Sequence, residues 1–107
     1  MGWDVKYTED AKQDLCGFDK SVQKRIVAVI KKVSKNPLPQ NEGGYGKPLG
    51  NKHGIDLSNL LKIKIKKPGI RIIYTIVREA ETMEVIIIGI RSDETVYKEA
   101  KKRINKQ

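Results

Sequence analysis

Leu61-Lys62-Ile63-Lys64-Ile65-Lys66 alternates apolar and cationic side chains without a break. A period of two does not fit a helix; it marks a strand with one face in a core and the other wet. Leu61, Ile63 and Ile65 belong to the buried face, and Lys62, Lys64 and Lys66 to the opposite one. Pro68-Gly69 follows, with proline fixing φ at the first turn position and glycine supplying the permissive second. Ile70-Arg71-Ile72-Ile73-Tyr74 then reads as the returning strand. With an even-numbered loop, Lys66 faces Arg71 or its neighbourhood, and Arg71 joins the lysine face. Like charges directly across a sheet are destabilising. A chain that gathers four cations on one small patch is therefore expected to hold them for an anion, and an RNA phosphate is the anion we expect.

The rest of the composition agrees. The formal charge is 22 − 13 = +9 over 107 residues, a balance that suits a polyanionic partner. Eight cations lie between Gly44 and Arg78 (Lys47, Lys52, Lys62, Lys64, Lys66, Lys67, Arg71 and Arg78) against one acid, Asp56. Cys16 is the sole cysteine and His53 the sole histidine. An intrachain disulfide, a Cys- or His-cluster metal site and a His–His nuclease pair are all ruled out. No cofactor and no metal are expected. No apolar run approaches the roughly 20 residues that span a bilayer. The first residues carry neither a signal-peptide pattern nor a myristoylation pattern. A cytoplasmic protein without membrane contact is expected, with residues 1–107 as one domain.

Taken in order, Trp3 to Tyr7 alternates as a short strand. Thr8 is placed to cap a helix with Glu9 and Asp10 in its first turn, carrying Ala11, Leu15 and Phe18 and stopping at Gly17. Asp19 caps a longer helix whose Val22, Ile26, Val29, Ile30 and Val33 follow 3.6-residue spacing. Asn36-Pro37 ends it. Trp3 and the Phe18–Ile26 set are expected in the core, and Cys16 as a small packed side chain. Leu38 to Asn59 is the least regular segment, rich in glycine and proline. After the hairpin, Val85-Ile86-Ile87-Ile88 is apolar on both faces, as for a strand inside a sheet. Gly89 within it suggests a bulge or close packing. Ser92 or Asp93 starts a last helix with Val96, Ala100 and Ile104 as its apolar stripe. The predicted order is β-α-α-β-β-β-α, an α+β domain with an antiparallel sheet covered on one face by an N-terminal helical hairpin.

Cleavage of RNA needs a base for the ribose 2′-OH, positive charge for the phosphorane and an acid for the 5′-oxygen. The suspect face has neither a histidine nor a carboxylate pair. Lysines can take the proton work when neighbouring cations depress their basicity, and Lys62, Lys64, Lys66 and Arg71 would crowd one another in that way. Arginines clamp phosphate bidentately.

The set Lys62-Ile63-Lys64-Ile65, Pro68-Gly69-Ile70-Arg71-Ile72-Ile73-Tyr74, Gly89-Ile90-Arg91, Val96-Tyr97 and Lys102-Arg103-Ile104 resembles the RelE group of the RelE/ParE toxins, over about Trp3 to Ile104. The resemblance implies the toxin half of a bacterial type II toxin–antitoxin pair. Its activity would be that of a ribosome-dependent endoribonuclease, an mRNA interferase that cuts mRNA in the ribosomal A site by 2′-OH attack and inhibits translation. It implies Lys64 as general base, Lys62 as transition-state stabiliser and Arg71 as the phosphate grip. Arg91 would be the general acid or leaving-oxygen stabiliser, and Tyr97 would stack on or orient a codon base. Lys47, Lys52, Lys66, Lys67, Lys101, Lys102 and Arg103 are expected to bind RNA or the ribosome. An acidic cognate antitoxin is implied as partner, with operator DNA reached only through the antitoxin complex. The glycine-rich stretch before Lys62 is longer than in compact members, and His53 has no family role.

Plainer readings stand beside these. Lys62 and Lys64 could be an ordinary wet strand face, Arg91 could pair with Asp93 or Glu94, and Tyr97 could be an aromatic at the edge of the core beside Val96. Two other functions compete: a ParE-like inhibitor of DNA gyrase, and a basic module that binds RNA or the ribosome without catalysis.

Overall fold

A computed structural model describes residues 2–52, 55–67, 69–90 and 93–106, and within these all side chains except those of 51, 52, 55, 56, 93, 94 and 106. The elements are β1 (Asp4–Tyr7), α1 (Glu9–Cys16), α2 (Lys20–Val33), a 3-10 turn at Gln40–Glu42, β2 (Lys47–Lys52), β3 (Ile55–Ile65), β4 (Ile70–Val77), β5 (Thr82–Gly89) and α3 (Asp93–Lys106). They form an α+β fold around one five-stranded sheet in the order β1-β5-β4-β3-β2. β2, β3, β4 and β5 pair antiparallel in turn, as expected for β3, β4 and β5; β2 is a strand that the predicted order lacks. β1 departs from that pattern and joins β5 in parallel, Asp4 opposite Thr82 and Tyr7 opposite Val85.

Thr8 begins α1 as its sequence position suggests, its Oγ1 accepting from the Ala11 amide at 3.1 Å. Asp19 begins α2 by backbone alone: its carbonyl accepts from the Gln23 amide at 2.9 Å, with no side-chain cap. The Gln23 side chain instead donates to the Phe18 carbonyl at 2.7 Å. The α1–α2 hairpin buries Ala11, Ile26, Ile30 and Val33 against Leu61, Ile65, Ile70, Ile72, Tyr74, Met83, Val85 and Ile88. Two expectations fail here. Cys16 is exposed rather than packed, because it falls on the outer side of a helix only eight residues long. Trp3 is half-buried and belongs to neither core.

The other face of the sheet carries a second core, made by Leu49, Leu57, Leu60, Ile73, Ile86 and Ile87 with Val96, Tyr97 and Ala100 of α3. The sheet is therefore covered on both sides, by the hairpin on one and by α3 on the other. This explains why β5 reads as apolar throughout. The irregularity that Gly89 suggested sits earlier in the strand: Ile73 pairs with Ile87 and Tyr74 with Val85, so Ile86 is the extra residue. That places Ile86 and Ile87 together in the second core.

The segment before Lys62 is more regular than its composition implies. It holds β2 and the first half of β3. Pro48 and Gly50 hide the strand in the sequence, but β2 lies at the sheet edge, where proline is tolerated. Two residues of β2 (Pro48 to Gly50) span four of β3 (Leu61 to Leu57), and this shift breaks the period-2 signal. Upstream, the loop is tied by its own backbone: Gln40 N to Gly46 O at 2.7 Å, Tyr45 N to Asn36 O at 3.0 Å, and Gly44 N to Pro39 O at 3.1 Å. Arg78 grips Glu42 through two hydrogen bonds of 2.9 and 2.7 Å, which holds the Glu42 carboxyl below its ordinary range. Tyr74 donates from its buried hydroxyl to the Pro37 carbonyl at 2.8 Å, and burial pushes that hydroxyl far above the usual phenol range. His53 lies outside the described residues.

Gly44 is the tightest point of this loop. A Cβ there would overlap the Leu38 carbonyl and stand 2.9 Å from the Leu38 Cα. Backbone cannot step aside as a flexible side chain can. Gly44→Ala is expected to destabilise the fold by about 1–3 kcal/mol, the usual range for overpacking, read as a lower urea midpoint at unchanged m-value.

Candidate active site

The turn between β3 and β4 sets the register of the cationic face. Ile65 pairs with Ile70, so residues 66 to 69 make the connection. The Gly69 amide closes it on the Ile65 carbonyl at 3.0 Å, and Gly69 has φ 95, the left-handed conformation that favours glycine. Lys66 therefore sits in the turn, not on the strand, and the residue opposite Arg71 is Lys64. Pro68 lies outside the described residues. Lys62 is opposite Ile73 on one side and opposite Lys47 of β2 on the other.

Directly paired residues share a face. Lys47, Lys62, Lys64 and Arg71 thus form a contiguous patch on the α3 side of the sheet, next to the second core. Sequence reasoning placed three of these together. It could not place Lys47, because β2 was not legible. At the turn, Lys66 and Lys67 are exposed, and Arg25 of α2 donates to the Lys67 carbonyl at 2.7 Å. No sequence signal tied Arg25 to this hairpin.

α3 supplies the cover. The Lys62 ammonium donates to Tyr97 Oη at 2.9 Å and stands 5.6 Å from the ring centre. The longer distance nearly equals the shorter one plus the span from hydroxyl to ring centre. The ammonium therefore lies beyond the hydroxyl, in line with the C–O bond, and not over the ring face where a cation–π contact forms. This is a charge-assisted hydrogen bond. Tyr97 itself is only 2 % exposed, packed among the second-core residues.

The cations of α3 divide. Lys102 is exposed and Lys101 half-buried, close to Leu57, Leu60 and Ile104. Arg103 is turned inward. Its side chain is 13 % exposed and takes Asp14 of α1 bidentately, at 2.7 and 3.2 Å. It also reaches Glu99 at 3.0 Å and the Ile86 carbonyl at 2.9 Å. Asp14 accepts in addition from the Ile88 amide at 3.0 Å. Together Arg103 and Asp14 occupy the edge groups of β5 beyond the end of β1. With its donors committed to the interior, Arg103 serves packing, and we leave it out of any ligand-binding set. Lys52 belongs to β2, and its side chain and the whole of Arg91 lie outside the described residues. Among the described residues, no group of three or more His, Cys, Asp or Glu side chains could hold a metal ion, and no helix is long and apolar enough to cross a membrane.

An open patch of four lysine and arginine side chains beside a buried tyrosine can grip an anion that presents several oxygens. Residues 5–97 match the family described as ParE toxin of type II toxin–antitoxin system, parDE. The chain belongs to this RelE/ParE toxin family. The RelE-type kinship expected from its motifs agrees with the relatives. A protein of Escherichia coli described as a RelE-like toxin is 29% identical over 104 residues, covering 97% of this toxin and 99% of that one. Among solved structures, a double-arginine mutant of the E. coli toxin RelE in the free state superposes with a TM-score of 0.73 at 23% identity, over 97% of this toxin and 99% of that chain. The RelBE2 toxin–antitoxin complex of Mycobacterium tuberculosis gives 0.68 at 22% identity, over 87% and 95%. At such identities the two structures attest the fold alone.

Proposed function

We propose that this type II toxin is a ribosome-dependent endoribonuclease that cuts mRNA in the A site without a metal, and so inhibits translation. The observation that carries the reading is the patch of Lys47, Lys62, Lys64 and Arg71, set in register on adjacent strands. In its neutral form Lys64 takes the proton of the ribose 2′-OH as the oxygen attacks phosphorus in line. Arg71, directly opposite, grips the non-bridging oxygens. Lys62 stabilises the charge that grows on the phosphorane. Arg91 protonates or stabilises the departing 5′-oxygen, leaving a 2′,3′-cyclic phosphate. Lys47, Lys52, Lys66, Lys67, Lys101 and Lys102 extend the positive surface toward RNA and ribosome.

A cognate antitoxin is the proposed protein partner. Related chains are known as the RelBE2 complex of M. tuberculosis and the intact RelBE complex of E. coli. A basic toxin offers an acidic segment electrostatic attraction, and operator DNA would be reached through that complex.

The test is primer extension on ribosome-bound mRNA, with wild type and Arg91→Ala side by side. Wild type should yield A-site cuts; Arg91→Ala should lose about 10²–10⁴-fold in rate, the usual worth of a general acid, while still binding ribosomes. Equal cutting of free RNA would remove the ribosome from the mechanism. The family's ParE label favours one competing reading, inhibition of DNA gyrase. Intact mRNA together with failed DNA supercoiling would select that reading instead.

A further inference from the structure

Tyr45 is an aromatic residue that the fold does not use for packing. It is 50 % exposed, whereas Trp3, Tyr7 and Phe18 are half-buried and Tyr74 and Tyr97 lie in the cores. We propose that Tyr45 is a stacking platform for an unpaired nucleobase of the RNA whose phosphates the cationic patch grips. The proposal rests on the nuclease reading above.

Three observations carry it. The first is the face. A Cβ at Gly46 would run into the Tyr74 hydroxyl and the Leu61 side chain, so Gly46 looks toward the hairpin side of the sheet, where both are buried. Side chains alternate along extended backbone, and Gly46 is bridged in parallel to Pro39. Tyr45 and Lys47 therefore share the opposite face, that of Lys62, which pairs with Lys47. The second is direction. β2 runs antiparallel to β3, with Lys47 at Lys62 and Pro48 at Leu61. The chain before Lys47 thus lies toward the end of the patch that holds Lys64 and Arg71. The third is rigidity. The Tyr45 amide donates to the Asn36 carbonyl at 3.0 Å, the Gly46 amide donates to that of Leu38 at 3.1 Å, and Arg78 pins the loop at Glu42. The backbone under the ring is fixed, while the ring itself belongs to neither core.

The arrangement has a chemical reason. Lysines and arginines hold phosphates of any sequence but leave the attached bases unsupported. Every base has a π-face, and an aromatic ring beside a cationic groove holds single-stranded nucleic acid without reading its sequence. A stacked base also restrains the ribose joined to it, which helps keep an attacking 2′-oxygen in line. An acidic protein segment would be drawn to the same lysines, but charge attraction has no need of a flat exposed ring.

The experiment measures binding without turnover, on ribosomes programmed with an mRNA whose A-site codon carries 2′-O-methyl groups and so cannot be cut. Wild type, Tyr45→Phe and Tyr45→Ala are compared. Tyr45→Ala is expected to weaken binding by about 5–150-fold, the worth of one stacked base. Tyr45→Phe keeps the ring and should stay within about twofold of wild type. Neither variant should move the urea midpoint, because the side chain is in no core. Abasic nucleotides placed one at a time in the same mRNA locate the base: where the abasic site removes the stack, Tyr45→Ala costs nothing further. A loss that persists at every abasic position, and equally on ribosomes without mRNA, assigns the base to ribosomal RNA. Wild-type binding by Tyr45→Ala, a Tyr45→Phe as weak as Tyr45→Ala, or no binding by the wild type overturns the proposal. A loss confined to binding of an acidic antitoxin segment overturns it too, and makes Tyr45 a protein contact. Cleavage of the unmethylated mRNA judges the nuclease reading separately: a wild type that binds the methylated complex but leaves the other mRNA intact fails that reading alone.

Discussion

Lys64→Ala is expected to lower the single-turnover rate of mRNA cleavage by about 10²–10⁴-fold, the range for removal of a general base, with folding stability within about 0.5 kcal/mol of wild type. Two parts of that expectation come from the register. Lys64 is exposed, so its loss leaves no cavity. It lies directly opposite Arg71, so its removal relieves a like-charge pair and offsets the small loss of contact. A residue whose deletion costs activity but not stability is one kept for chemistry. Lys64→Arg separates charge from proton transfer, because arginine keeps the charge but stays protonated at any working pH. If Lys64→Arg cleaved like wild type, Lys64 would be an electrostatic group and the base would have to be sought elsewhere on the patch.

The second large effect concerns the fold. Arg103→Ala is expected to destabilise by about 1–3 kcal/mol, as when the donor of a part-buried hydrogen-bond network is removed. Asp14, whose side chain is 21% exposed, would keep the Ile88 amide but lose both guanidinium contacts, and the Ile86 carbonyl would lose its side-chain donor. The damage falls on the joint between α1, β5 and α3, so the helix that carries Tyr97 should loosen with it. Arg103→Met paired with Asp14→Leu should cost less than the two single changes summed, since neither variant then strands a charge. Urea unfolding checks both, with a shift in midpoint at constant m-value as the sign of lost stability. A change of under 1 kcal/mol for Arg103→Ala would show that water replaces the guanidinium at no cost and that Arg103 is a surface residue after all.

Much of this was legible from residues 61 to 74. The Lys/Ile alternation is a strong local signal, and it yielded the strand, its buried face and the lysines opposite. The helices were equally plain, because their caps and 3.6-residue stripes are properties of adjacent residues. The missing parts share one cause: they depend on partners distant in the chain. β2 contains Pro48 and Gly50, and only its place at a sheet edge makes it a strand. The inward turn of Arg103 depends on Asp14, which periodicity cannot link to it. The burial of Tyr97 depends on a second core that exists only once α3 lies against β3, β4 and β5. Val96, Ala100 and Ile104 read as a thin stripe, and the plainer reading of Tyr97 as an aromatic beside Val96 is the one that widens it.

The parallel seat of β1 has a consequence for synthesis. β1 pairs with Thr82 to Val85, so it has no strand partner until β5 has been made. Contacts that close such long loops form slowly. The α1–α2 hairpin emerges early, but its buried side chains must wait for strands that come later. The seat of β1 against β5, and the cover of α3 over the cationic face, therefore form only after β2, β3 and β4 have been made.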